Sequence, residues 1–166
     1  MNEELILLLK QIKAKWGQET VAAILKEMDK KRSRLTFSGA LRSSVKYKQA
    51  SDIDGDISFS MAPYGQFVDK GVRGVNSNYA ANKDTTFAFK SINSRFGIAF
   101  HIKKWANAKG LNEYAVATNL AKKGIEARKF FDTVIESRIN ILGEDITQGI
   151  ADYMESQTNR LNNTAQ

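Results

Sequence analysis

Residues 52–74 read Asp-Ile-Asp-Gly-Asp-Ile-Ser-Phe-Ser-Met-Ala-Pro-Tyr-Gly-Gln-Phe-Val-Asp-Lys-Gly-Val-Arg-Gly, and the fold class follows from them. Asp54-Gly55 predicts a hairpin turn, because both central residues of a type I′ turn need positive φ. After the turn, Ile57, Phe59 and Met61 alternate with Asp56, Ser58 and Ser60; before it, Val45, Tyr47 and Gln49 alternate with Lys46, Lys48 and Ala50. Each run has the period of two of a half-buried strand. The hairpin over residues 45–61 therefore builds a small antiparallel sheet with one apolar face, which helices must cover. Pro63, the only proline in the chain, suits the first turn of a helix, where its missing N–H is not needed. Tyr64, Phe67 and Val68 sit at i, i+3 and i+4 and are expected to plug the end of the sheet. Gly71 and Gly74 bracket an exit that needs positive φ or a close backbone approach.

Helical patterns flank this stretch. On the N-terminal side, Leu5, Leu8, Leu9, Ile12 and Trp16 form one apolar stripe, and Val21, Ile24, Leu25 and Met28 form a second. Asn2 is a candidate cap, and Gly17 marks an expected kink or break between the stripes. Trp16 reads as a core anchor rather than a binding aromatic. The cluster Lys30, Lys31, Arg32 and Arg34 closes the helix, where cations suit the macrodipole; the other reading is a nucleic-acid patch. Ser38 and Gly39 then cap a short helix through Ala40, Leu41 and Arg42, with Leu41 and Val45 toward the core.

On the C-terminal side, residues 71–85 lack an apolar period and read as a long mobile loop. Phe87 and Phe89 alternate with polar or small neighbours and predict a third strand. Phe96, Ile98 and Phe100 alternate likewise and predict a fourth. These phenylalanines read as core in preference to a stacking platform for bases. Helical patterns resume over Ile102–Ala108, and again from a cap at Asn112 to Gly124. The last helix carries Phe131, Val134, Ile135, Ile139, Leu142, Ile146, Ile150 and Tyr153 at helical spacing. Its polar end is expected to fray from about Gln157. The class is thus α+β: a small antiparallel sheet, the hairpin plus one or two further strands, packed by a long N-terminal and a long C-terminal helix. Residues 1–155 form one domain with a helical insertion around 100–124, and 156–166 form a polar tail.

At 166 residues the chain suits one domain with a real core. No run reaches the roughly 18 apolar residues of a membrane span. The opening Met-Asn-Glu-Glu is acidic and does not read as a secretory signal. Absence of cysteine excludes disulfides and thiolate metal sites, and suits a reducing cytoplasm or a particle assembled there. The net charge of +7 is unevenly spread: +6 over residues 1–50, −2 over 51–85, +6 over 86–133 and −3 over 134–166. Alternating blocks of sign suit contact between copies or a basic face toward a polyanion; a lysine-rich surface that is merely solvated is the plainer alternative.

Catalytic chemistry finds little purchase. His101 is the only histidine, and a lone imidazole cannot build a zinc cage. As a general base it would need a partner within hydrogen-bond reach. Asp52, Asp54 and Asp56 resemble the start of a calcium loop, but Pro63 stands where the bidentate glutamate belongs, and turn chemistry accounts for them. No phosphate-cradling glycine loop and no nucleophile elbow occurs. No cofactor and no metal is expected.

Three boxes stand in order: Ser38-Gly39-Ala40-Leu41-Arg42-Ser43-Ser44-Val45, Pro63-Tyr64-Gly65-Gln66-Phe67-Val68-Asp69-Lys70-Gly71, and Gly124-Ile125-Glu126-Ala127-Arg128-Lys129-Phe130-Phe131. In this order and spacing the chain resembles the head–tail joining and tail-completion proteins of tailed bacteriophages. In that family a leading helix precedes a Thr-Gly-x-Leu-Arg-x-Ser-Ile box, a hairpin leads into Tyr-Ala-x-Tyr-Val-Glu-x-Gly-Thr, and Pro-x-Pro-Phe-Leu opens the last helix. The resemblance covers most of residues 20–150, with 86–123 as an insertion. It implies a non-enzymatic virion protein, assembled in the host cytoplasm, that forms a ring of its own copies at the neck or tail end. Its partners would be neighbouring neck and tail proteins, with non-specific DNA contact in the lumen and no membrane. By resemblance, Gly39 and Leu41 place the sheet against the first helix, Tyr64, Phe67 and Gly71 shape the turn after the hairpin, and Phe130 and Phe131 anchor the last helix; Ser38, Arg42 and Val68 complete the set of candidate structural and assembly residues. A basic nucleic-acid-binding module is the alternative function; steep salt dependence of DNA binding by the monomer would mark it.

Overall fold

A computed structural model describes residues 3–30, 39–49, 56–76, 82–83 and 85–164. The chain is α+β. In order it forms α1 (Glu3–Lys30), α2 (Ala40–Ser44), β1 (Lys46–Gln49), β2 (Ile57–Ser60), α3 (Gly65–Lys70), β3 (Val72–Arg73), a 3-10 turn (Ile92–Ser94), α4 (Arg95–Ala108), α5 (Glu113–Lys123), β4 (Gly124–Ile125) and α6 (Asp132–Thr164). Asn2, Ser38, the basic residues 31–34 and the Asp54-Gly55 turn lie outside the described residues.

The two long helices run antiparallel. Glu4 of α1 meets Arg160 near the end of α6 (3.1 Å), while Glu19 meets Arg138 near its start (2.9 Å). Between these pairs, the Trp16 indole N–H donates to the Arg138 carbonyl (2.7 Å), and Arg138 Nε donates to the buried Thr20 hydroxyl (3.1 Å). Ile12 lies against Gly149, where an added Cβ would meet its Cδ1 at 2.5 Å. The expected break at Gly17 is overturned: α1 is continuous through it. The glycine serves packing instead, because the Tyr47 ring lies where its Cβ would be, 2.6 Å from ring carbon Cδ2.

The hairpin crosses α1 at this point. Lys46 pairs with Ser60, Tyr47 with Phe59, Lys48 with Ser58 and Gln49 with Ile57. Phe59 meets Trp16 edge-on with ring centroids 5.5 Å apart, and Gln49 Nε2 donates to the Lys10 carbonyl (3.3 Å). Ile24, Leu41, Val45, Phe130 and Phe131 form the buried cluster beneath, ringed by Val21, Leu25, Met28, Phe59, Met61, Val68, Val134 and Ile135.

Downstream the architecture departs from the alternation read in the sequence. The expected fourth strand is the first turn and a half of α4. The expected third strand is reduced to one parallel bridge, Arg73 to Ala88. A second small sheet stands instead where β3 pairs antiparallel with β4, Val72 to Ile125 and Arg73 to Gly124. Of the loop read over residues 71–85, residues 71–76 are fastened by this pairing and by Val75 and Asn76, which donate to the carbonyls of Ala121 and Lys122 (2.9 and 3.1 Å), while residues 77–81 and 84 lie outside the described residues. Past Gln157, where the sequence reads as a polar tail, α6 continues to Thr164, and Gln157 and Arg160 both reach Glu4. Asn112 caps α5 as expected, accepting from the Ala115 N–H (3.0 Å), and Gly124 ends it at φ +90°.

Candidate assembly site

Each box sends at least one residue to the same place. Leu41 from the first box, Val68 from the second and Phe130 and Phe131 from the third meet in one apolar cluster. Gly39 opens α2 at φ +64°, and Arg42 is exposed, its guanidinium paired with Asp29 (3.2 Å). Gly71 is buried at φ +73°; a side chain there would strike Asn82 and the Ala127 N–H. Tyr64 and Phe67 correct the expected plug. Both are exposed, and Phe67 turns from the sheet to lie edge-on against Phe87, centroids 4.7 Å apart. The space they were expected to fill belongs to Met61 and Leu41, which close on the bare Cα of Gly65.

What fastens the second box to the third is polar. Asp69, 2 % exposed, accepts through Oδ1 from the backbone N–H groups of Phe130 (2.7 Å) and Phe131 (2.8 Å). Those donors open the last helix and would otherwise be orphaned in an apolar surround. The Asp69 carbonyl accepts from Lys129 (2.9 Å) and Arg128 (3.1 Å), holding Lys129 at a φ of +48°. Fully buried Asn82 does the same for the second sheet. Its Nδ2 donates to the carbonyls of Val72 and Ile125 (3.1 and 2.7 Å), and its Oδ1 accepts from Ala127 (2.8 Å). Buried Thr85 donates to the Gly71 carbonyl (3.0 Å) and accepts from Phe87 (3.2 Å). Asp69, Asn82 and Thr85 thus bond to backbone groups, which makes this knot a scaffold.

The surfaces that remain available lie elsewhere. Helices α4 and α5 pack through small residues: Ala99 and Ala106 on one, Ala117 and Ala121 on the other, all buried. With alanines inside, both phenylalanines of α4 are turned out. Phe100 is 79 % and Phe96 56 % exposed, with Arg95 stacked over Phe96 at 5.0 Å and His101 edge-on to Phe100 at 5.5 Å. One turn further along α4 stand Lys103 and Lys104, both exposed. Beneath, the Trp105 indole N–H is buried without an acceptor, the one such side-chain atom among the described residues. The outer side of α6 has a shallow groove lined by Ile139, Asn140, Gly143, Glu144, Thr147 and Gln148. Among the described residues no group of three or more His, Cys, Asp or Glu side chains is placed to hold a metal, and no helix is long and apolar enough to cross a membrane.

Several of these features were silent in the sequence. Asn82 lies in an asparagine- and alanine-rich run with nothing to set it apart from Asn76 and Asn78. Asp69 had a signal, a lone acid between Val68 and Lys70 in an apolar half-turn. The outward phenylalanines were read as core because they alternate. Set against known protein families, curated proteins and solved structures, the chain matches none.

Proposed function

We propose that the chain is a structural, non-catalytic building block of a tailed-bacteriophage particle, a head–tail connector or tail-completion protein that assembles as a ring at the neck or tail end. The observation that carries the reading is the convergence of the three boxes: one residue or more from each enters a single cluster, bound by Asp69 to the start of α6. Boxes spread over most of the chain that meet as one unit behave as a scaffold signature. The polar groups most deeply buried serve that scaffold, and the exposed apolar side chains of α4 and α6 supply contact area of the kind protein interfaces use. Basic residues of the 86–133 block facing a lumen would meet DNA through phosphates alone, without reading sequence.

The test is genetic and then structural. Deleting the gene from the phage that encodes it should leave filled heads and tails that do not join, or tails that do not terminate. Particles made with the gene should contain the chain in fixed stoichiometry, as a ring visible by cryo-electron microscopy. Infective particles of unchanged composition from the deletion strain would refute the proposal.

A further inference from the structure

The sign of charge on α4 and α6 is opposite, and each helix carries an apolar feature that its own fold leaves uncovered. Helix α4 has Arg95, Lys103 and Lys104 and no acid. Helix α6 has six acids and two arginines, and both arginines are already committed to Glu4 and Glu19 of α1. What α6 shows to solvent is therefore acidic. Glu136 and Glu144 are exposed, and among the described residues neither they nor Lys103 and Lys104 enter an ion pair. Between the two glutamates, Ile139 is 58 % exposed, and Gly143 has open space where a side chain would stand. Ile139, Gly143 and Thr147 are spaced i, i+4 and i+8, so they form one stripe along the groove floor.

We propose that the outer face of α4 docks on the outer groove of α6 of a second copy, Phe100 entering the notch at Gly143 with Phe96 beside it. Glu136 and Glu144 stand two turns apart, on either side of the notch, so Lys103 and Lys104 meet a carboxylate whichever way the helices run. The contact joins two different surfaces of the same chain, so it propagates from copy to copy and closes a ring or continues as a filament. It deepens the ring reading above and rests on it. The two phenylalanines supply on the order of 250 Å² per side, against about 800 Å² for a stable interface, so a single contact is weak and the free chain stays largely monomeric until many contacts form together.

Because the native chain has no cysteine, single cysteines report the contact directly. Phe100→Cys combined with Gly143→Cys should form intermolecular disulfide ladders about tenfold faster than Phe100→Cys combined with Ala22→Cys, an exposed position on α1. Lys103→Glu/Lys104→Glu in that background should abolish the ladder, as should Glu136→Lys/Glu144→Lys, and mixing the two charge variants should restore it. Equal rates for the test and control pairs would overturn the proposal. So would cross-links joining position 100 of one copy to position 100 of another alone, which indicate a symmetric dimer. Capture of α4 by single-stranded DNA, with steep salt dependence and no ladder, would assign the face to nucleic acid instead. A chain present as a neck or tail ring whose cysteines fail to cross-link leaves the functional reading standing and removes only this interface.

Discussion

Phe130 and Phe131 are buried where α6 begins, whereas Phe96 and Phe100 stand outside on α4, above a seam of alanines. The two regions use one residue type for opposite ends. In the body, large side chains fill the space between α1, α6 and the hairpin, and polar side chains finish the backbone's hydrogen bonds. In the α4–α5 arm, alanines bring the helices close but contribute little apolar area, and the rings of Phe96, Phe100 and Tyr114 face water. Burial of a phenylalanine is worth about 1.5–3 kcal/mol, so the arm forgoes stabilisation that the body takes. Two exposed phenylalanines on one helix are the area that the proposed contact between copies would cover.

The widest predicted gap tests that contrast directly. Phe130→Ala should cost about 3–5 kcal/mol, through lost transfer energy and a cavity in the main cluster. Phe100→Ala should leave the isolated chain within about 0.5 kcal/mol of the native stability, since nothing in the fold covers the ring. Denaturant unfolding of both variants decides the matter, and equal losses would erase the distinction between body and arm.

Next in size is Asp69. Its replacement by alanine strands two buried N–H donors, at about 1–2 kcal/mol each, so a loss of roughly 2–4 kcal/mol is expected. At about 2–4 °C per kcal/mol for a chain of this size, melting should fall by roughly 5–15 °C. Asp69→Asn keeps an acceptor oxygen at the same place and should lose less than half as much. If the two variants melt together, the carboxylate's charge and not its hydrogen-bond geometry holds the third box to the second.

How much of this was legible can be judged residue by residue. The hairpin, the Leu41 and Val45 contacts, the Asn112 cap and the Gly124 stop were readable because each has a local cause: alternation, a cap, a turn that needs positive φ. Helix α4 was not, because Phe96, Ile98 and Phe100 alternate while its real buried stripe rests on Ala99 and Ala106. Alanine is too weakly apolar to announce a face, so the period of two masked the period of 3.6. The second sheet and its Asn82 fastener join groups more than 40 residues apart, such as Asn82 and Ile125, Thr85 reaches back to Gly71, and polar side chains carry no periodicity from which to infer either. Phe67 failed for a related reason: helical spacing gives the face of α3, but Phe87, remote in sequence, decides what that face meets.

Gly17 sharpens the comparison inside the body. Alanine there should gain about 1 kcal/mol of helix propensity but push a Cβ into the base of the Tyr47 ring, an overpacking cost of about 1–3 kcal/mol. The net expectation is a loss of up to about 2 kcal/mol. Gly17→Ala with Tyr47→Leu should recover part of it, since leucine removes the ring atoms that collide. A stabilised single variant would show that the hairpin can lift from α1 at little cost, and that the body is looser than its packing implies.

The smallest effect lies at the rim of the polar knot, where Lys70 and Asp132 join α3 to the first turn of α6 at 3.0 Å. The hydrogen bond to Asp132, and then its charge, hold the Lys70 ammonium above its ordinary value near 10.5. A lysine raised in the folded state contributes its stabilisation fully below the unfolded value and loses it as pH climbs through the folded one. Both side chains are about half exposed, so solvent and salt reduce the contribution to below about 1 kcal/mol. Between about pH 9 and about pH 12 the native chain should therefore lose a few tenths of a kcal/mol more stability than Lys70→Met, a comparison in which the titration of every other lysine cancels. The difference should shrink in about 1 M salt, because a surface pair is screened. If it does not shrink, the pair is drier than its exposure suggests, and the rim belongs with the buried knot around Asp69 and not with the surface of the body.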